Sequence, residues 1–400
     1  SLTQNTNNVG RITSSSTGAL TYVDADSVTL EDISASGNVN VSTVAATGDI
    51  SVGSVVTYLE LSSITGIAAG GTGYAVNDLL TVSGGKSTTA AVIRVDAVGD
   101  GGVITAVSVN ISGAYSVLPA NPVSVTGGGA NNATFNLSWV VAGTITLTAG
   151  DEVKEAGAGD AGLDIRAATL DLNAVGGIWG GTTTTNETLE ISATNITADT
   201  TTGKINLAND PTTAAVTVTT MTTNTGAITF TQDNSVNSTG SDADQALTVT
   251  TASTVSGSIS ISNDGGALTA TTVTASSDGG AGDVTLITTT SGQINIGNIT
   301  ATSDTITITA AGAIEESGTD GEADLTALIL ILQSGQASGT TDGGIGALAT
   351  FRIDAAVLRI AAAEGFISLL ETSGNQLGDG TAGVPTSVGP ITIATTNGAL

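Results

Sequence analysis

The 400-residue chain contains no cysteine and no histidine. Disulfides, thiolate nucleophiles and imidazole acid–base chemistry are therefore excluded. A serine nucleophile would need a lysine or a carboxylate as its base, and Lys86, Lys154 and Lys204 stand in unrelated stretches. Aromatic residues make up only 2% of the chain, with two tryptophans, Trp139 and Trp179, so stacking platforms for sugars or bases are scarce. Eight basic residues face 36 acidic ones, a net charge of −28. The eight are scattered, which excludes the clustered basic face that nucleic acids and anionic membranes require. No apolar run approaches the roughly 20 residues of a membrane-spanning helix, and the stretch Leu325–Leu332 is far too short. Proline is rare, at five residues, so the turns fall to Gly, Asn, Asp and Ser. No signal peptide is recognisable. The chain starts at Ser1 without Met and stops inside a recurring phrase, Asn397-Gly398-Ala399-Leu400, which predicts an excerpt of a longer or processed chain.

What is present is a phrase: glycine, one residue, then apolar–polar–apolar. It stands at Gly37–Val41, Gly48–Val52, Gly143–Leu147, Gly203–Leu207, Gly226–Phe230, Gly257–Ile261, Gly282–Leu286, Gly292–Ile296, Gly365–Leu369 and Gly389–Ile393. Each copy reads as a turn followed by a strand of period two. One such strand cannot bury its apolar side alone, but many stacked in register can. The hydrophobic content of 40% is mostly small and β-branched, which suits a narrow, regularly filled interior and argues against disorder. Phrases recur about every 20 to 30 residues, the length of one coil with two or three short strands. The expected fold is all-β: a parallel β-helix, or solenoid, of about 13 to 15 coils. Ala355–Glu364, the best helical candidate, aligns with a strand of an earlier repeat and is read as β.

Residues 1–54 read as the first coils. Residues 55–142 differ and read as a small all-β module inserted into the solenoid. Its marks are Gly70-Gly71-Thr72-Gly73-Tyr74, a related pass around Tyr115, and a hairpin with strands 91–98 and 103–109. Tyr74 and Tyr115 read as equivalent positions in its two halves, and Trp139 joins them as a candidate interaction residue, because insertions in repeat folds emerge on a face that often binds. Residues 143–400 return to the solenoid and contain a duplication of several coils, about 144–207 and 305–369. Its elements recur in one order: Val153-Lys154-Glu155 with Ile314-Glu315-Glu316, Leu170-Asp171-Leu172 with Leu328-Ile329-Leu330, Leu189-Glu190-Ile191 with Phe351-Arg352-Ile353.

The stretch running from Ile145-Thr146-Leu147-Thr148-Ala149 through Gly176-Gly177-Ile178-Trp179-Gly180 to Gly203–Leu207 resembles the repeats of giant bacterial surface and secreted proteins of the filamentous-haemagglutinin type. The Gly-Gly-x-Gly-Tyr segment resembles β-modules of phage-tail and bacterial surface proteins. The first resemblance implies a right-handed parallel β-helix, an extracellular or cell-surface location, and a role in adhesion or as an extended scaffold.

Ser277-Asp278-Gly279-Gly280-Ala281-Gly282-Asp283 is half of a Gly-Gly-x-Gly-x-Asp calcium loop. With Asp264 and the turn Asp320-Gly321-Glu322, it nominates Asp278, Asp283, Asp264, Asp320 and Glu322 as calcium ligands. Ordinary Asx turns explain the same residues, and hard cations want six or more oxygens. Carboxylate pairs for glycoside chemistry exist at Asp96 and Asp100, Asp151 with Glu152 and Glu155, Glu315 and Glu316, and Asp242 and Asp244. Gly70-Gly71-Thr72-Gly73 lacks the lysine and following helix of a phosphate loop. Trp179, in a glycine-rich stretch, reads as a packing plug before a ligand platform. The function expected is an extracellular structural or adhesive scaffold that assembles with itself in a filament, sheath or surface layer. Partners would be further copies or a glycan on a neighbouring cell, with no nucleic acid and no membrane insertion. The alternatives are a carbohydrate-active β-helix enzyme, such as a polysaccharide lyase or phage-tail depolymerase, and a calcium-dependent adhesin.

Overall fold

The computed structural model describes residues 1–16, 18–128, 132–157, 162–181, 188–210, 214–233, 245–276, 281–318, 322–335, 343–346, 351–362, 367–372 and 391–395. Each glycine-led phrase that falls among them is a strand. Ile259–Asn263 is representative: Ile259, Ile261 and Asn263 are buried, and Ser260 and Ser262 lie outward. Period-two chemistry becomes period-two burial because successive side chains leave a strand on opposite faces. Phe351–Ala362 is likewise a strand and not a helix. The one helical element among the described residues is a 3-10 turn, Asp100–Gly102, which closes the expected hairpin between Val92–Val98 and Ile104–Ile111.

Twenty-four strands form one parallel system. Leu20–Asp24 lies beneath Val39–Thr43, which lies beneath Thr144–Ala149, then Ile165–Ala174, then Leu189–Thr200. The pairing continues in this way to Ile367–Glu371 and Ile391–Thr395. Partner residues are 18 to 31 positions apart along an uninterrupted coil, for example Arg11 with Thr29 and Val216 with Leu247. This is a parallel β-helix with one shared interior running from Tyr22 to Leu369. Its filling is almost entirely Val, Ile, Leu and Ala, so each coil adds a thin layer and no coil needs a large ring.

The corners explain the glycines. Gly203, Gly226 and Gly257 stack, each with positive φ. A Cβ on Gly203 would lie 2.6 Å from the Gly176 carbonyl oxygen, and the same crowding recurs one coil up. The carbonyls so exposed are capped by buried threonines: Thr223 Oγ1 donates to Gly203 O at 3.0 Å and Thr254 Oγ1 to Gly226 O at 3.0 Å. A second corner is filled by a column of stacked polar side chains, Asn209, Gln232 and Asn263. Asn263 Nδ2 donates to the carbonyls of Gln245, Gly266 and Ala267. Buried turn carbonyls need such partners, because an unmet one costs about 1–3 kcal/mol.

The inserted module is a separate eight-stranded, mainly antiparallel system from Leu59–Ala69 to Thr134–Val141, with its own core around Leu80, Ile93, Tyr115 and Phe135. The strand Val55–Thr57 belongs to the rod. The module departs and returns through one neck, where Ala142 N donates to Tyr58 O at 3.0 Å and Leu59 pairs with Val141. Val39–Ser42 pairs directly with Ile145–Thr148. The insertion interrupts the sequence and leaves the ladder whole.

The duplication is visible in the strands. Three-, ten-, twelve- and five-residue strands recur in order, as Val153–Glu155, Ile165–Ala174, Leu189–Thr200 and Ile205–Asn209. The second set is Ile314–Glu316, Leu325–Ser334, Phe351–Ala362 and Ile367–Glu371.

Candidate functional site

The first long repeat carries the densest chemistry. Glu155 ends a short strand at an inward position, Asp164 precedes the next strand, and Glu190 lies one coil further, beside Ile191, which stacks on Ile165. Stacking brings the three together: one carboxylate oxygen from each lies within 4.8 Å of the others. Asp164 is 3% exposed and Glu155 6%. Asp164 Oδ2 accepts from Glu190 N at 3.0 Å, and Thr188 Oγ1 donates to Glu190 Oε1 at 2.6 Å. Burial, followed by the charges of Glu155 and Glu190, pushes the Asp164 carboxyl up to about 8, although the hydrogen bond from the Glu190 backbone opposes this. At neutral pH the cluster therefore holds a proton. Beside it a cavity of about 370 Å³ is bordered by Arg166, Glu190, Asp210 and Asp233. Burial lowers Arg166 and raises Asp210, the latter helped by Asp233.

The outward face of the neighbouring coils carries a second constellation. Lys154 Nζ bonds Asp49 Oδ2 at 2.6 Å and Glu152 Oε2 at 3.0 Å. Burial opposes the charge on Lys154, but these two hydrogen bonds hold its ammonium above the ordinary value. Trp179 Nε1 donates to Glu152 Oε1 at 3.3 Å, and Lys204 Nζ sits 4.2 Å from the Trp179 ring centroid. Trp179 is thus on a strand, with one face of its ring covered by a cation.

Tyr74 and Tyr115 are core side chains of the module. The Tyr74 hydroxyl accepts from Asn132 N and Ala133 N at 3.2 Å, and the Tyr115 hydroxyl from Ala91 N at 3.0 Å. Trp139 is half-buried and packs edge-on to Tyr115, with ring centroids 4.7 Å apart. Asp264 Oδ1 accepts from the hydroxyls of Thr289 and Thr290, which hold its carboxyl below the usual range. Asp283 Oδ1 accepts from Thr305 N at 2.9 Å, and Glu322 is exposed. Asp278 and Asp320 lie outside the described residues, as do Asp242 and Asp244. Among the described residues, the group close enough to share a cation is Glu155, Asp164 and Glu190; Asp264, Asp283 and Glu322 form no such group. The sequence reading grouped Glu155 with Asp151 and Glu152, its chain neighbours. The cluster's trace in the sequence is the reversal of charge between Glu190 and Arg352, which stand at equivalent positions of the two copies.

No family model matches the chain, and no curated protein or solved structure matches it.

Proposed function

We propose that the chain is an extracellular structural and adhesive scaffold: a β-helix rod that displays one β-module and assembles with further copies into a filament, sheath or surface layer. The observation that carries this reading is the direct pairing of Val39–Ser42 with Ile145–Thr148 across the insertion. A rod that continues unbroken beneath an inserted module is built to carry that module on its side. The outward faces, rich in Thr, Ser and Asp, and the net charge of −28 keep a long β-structure from indiscriminate edge pairing. Stacked parallel coils would give a fibre reflection near 4.7–4.8 Å along the rod. Electron microscopy and fibre diffraction of the purified chain test this. Filaments or layers with that repeat support it, and a monomer at every concentration that also fails to bind cells overturns it.

A calcium-assisted form of the same role is the second reading, favoured by the convergence of Glu155, Asp164 and Glu190. Three carboxylates supply only part of the six to eight oxygens that Ca²⁺ takes. The reading requires Ca²⁺ to raise the melting temperature of the chain at pH 8, and to do so far less in the Glu155→Gln variant. The enzyme reading ranks below both. The cavity beside the cluster brings carboxylates together, but none of the residues bordering it is aromatic. Release of reducing ends or unsaturated products from acidic polysaccharides would promote it.

A further inference from the structure

The strongest unassigned feature is the cleft where the module leans on the rod. Strands Arg11–Ser16, Val28–Ala35 and Val55–Thr57 form one side, and Lys86–Thr89 and Ala114–Val117 the other. The cavity between them is about 390 Å³, inside the roughly 300–1,000 Å³ typical of small-ligand sites. Most residues around it carry a hydroxyl. Tyr58, itself 2% exposed, anchors a hydroxyl network there: its phenol oxygen lies 3.3 Å from both Ser15 Oγ and Ser34 Oγ. Ser116 Oγ donates to Lys86 O at 3.2 Å, tying the Lys86 backbone to the cleft wall.

Of the eight basic residues, Lys86, Arg166 and Arg359 make no ion pair among the described residues, and of these Lys86 borders this cavity. Arg11, Arg94, Lys154 and Arg352 are paired with carboxylates, and Lys204 covers Trp179. Lys86 borders the cleft and makes no ion pair among the described residues, although Asp32 borders the same cleft from the rod. A molecule with a net charge of −28 thus keeps an unpaired ammonium at a hydroxyl-lined hollow.

We propose that this cleft between rod and module binds one unit of an acidic saccharide, a sugar ring bearing a carboxylate. Lys86 takes the carboxylate as a charge-assisted hydrogen bond. Asp32 accepts from the ring hydroxyls, and the Ser15–Tyr58–Ser34 hydroxyls can both accept from them and donate to them. A site lined this way discriminates against ligands without hydroxyls, since its own polar groups would be left unpaired. The module is thereby given a purpose for its position, because neither the rod nor the module alone encloses the cleft. This inference deepens the adhesive reading above and names its ligand class, but it is tested separately from assembly.

The test is calorimetric titration of the full chain with sodium glucuronate, glucose and inorganic sulfate. Glucuronate is expected to bind saturably, with glucose and sulfate each about tenfold weaker or more. Lys86 is exposed, so Lys86→Glu should fold, as circular dichroism will verify; it is expected to lose glucuronate binding by about tenfold or more. Lys86→Arg should retain it, and Asp32→Asn should weaken glucose and glucuronate alike. Absence of saturable glucuronate binding, glucuronate binding that Lys86→Glu leaves unchanged, or sulfate binding as tight as glucuronate would each overturn the proposal. All three leave the scaffold reading standing, since that is decided by microscopy.

Discussion

Glu190 and Arg352 hold the same position in the two long repeats. The backbone N–H of each donates to an aspartate one coil below, Glu190 to Asp164 at 3.0 Å and Arg352 to Asp324 at 2.7 Å. In the second repeat the arginine reaches across to Glu316, 3.8 Å away, which corresponds to Glu155. The first repeat has a third carboxylate where the second has a cation. The same backbone frame therefore holds two opposite electrostatic solutions, one closed by an ion pair and one by a retained proton.

The retained proton makes stability depend on pH in an unusual direction. Asp164 has a folded-state pKa of about 8 against 3.8 in the free side chain. Its contribution is intact below about pH 4, declines as the unfolded chain ionises while the folded chain does not, and is fully lost above about pH 8. The urea midpoint should fall as pH rises from 5 to 8. In Asp164→Asn, which keeps an oxygen to accept from Glu190 N, that slope should flatten. An unchanged slope would place the proton elsewhere.

Copying the second repeat's solution into the first should relieve the same site. Glu190→Arg sets a guanidinium beside Glu155 and Asp164, and the stability of the chain at pH 8 should rise by about 1–2 kcal/mol. Denaturant titration at pH 5 and pH 8 measures this. The gain should be smaller at pH 5, where Asp164 already carries its proton. A loss at both values would show that the two frames are not interchangeable.

The glycine corners predict a steep local penalty. Gly292 has φ of 97°, and a Cβ there would overlap the carbonyl oxygen of Gly266 in the coil below. Gly292→Ala should cost ~2 kcal/mol or more, from strain in the left-handed region and from the separation of two coils. Gly101→Ala, at φ of 69° with open space around it, should cost less, since only the backbone term applies. Equal effects in thermal melts would argue against stacking as the cause.

Excising the module should spare the rod. Tyr58 and Ala142 are already hydrogen-bonded neighbours, so replacing residues 59–141 with a short glycine–serine turn requires little movement of the chain. The shortened chain should keep its parallel-β circular dichroism and unfold cooperatively. Loss of both signals would mean that the module is part of the folding core.

The glycine-led phrase made the parallel stack legible because alternation and turn spacing are local properties, and each inward Val or Ile finds its own kind one coil away. The order of elements in the duplication was legible for the same reason; the matching strand lengths appear in the fold. The acidic cluster was not. Glu155, Asp164 and Glu190 are separated by 9 and 26 positions, and nothing in the chain says that a residue ending one strand faces a residue opening another. The burial of Tyr74 and Tyr115 was equally out of reach, because a tyrosine beside glycines serves a core or a surface with the same local sequence.

Residue order was enough for the all-β character, the coil, the insertion and the classes of chemistry absent from a chain without cysteine or histidine. These follow from residue type and spacing alone. Which side chains meet is set by the folded stack, because it depends on how each coil closes onto the one below. Each stretch of 18 to 31 residues between stacked partners sets what lies above what, as Val216 lies against Leu247, and a change of one residue would turn a different side inward. Contact between coils, which places three carboxylates together in one repeat and an ion pair in the other, is a property of the stack.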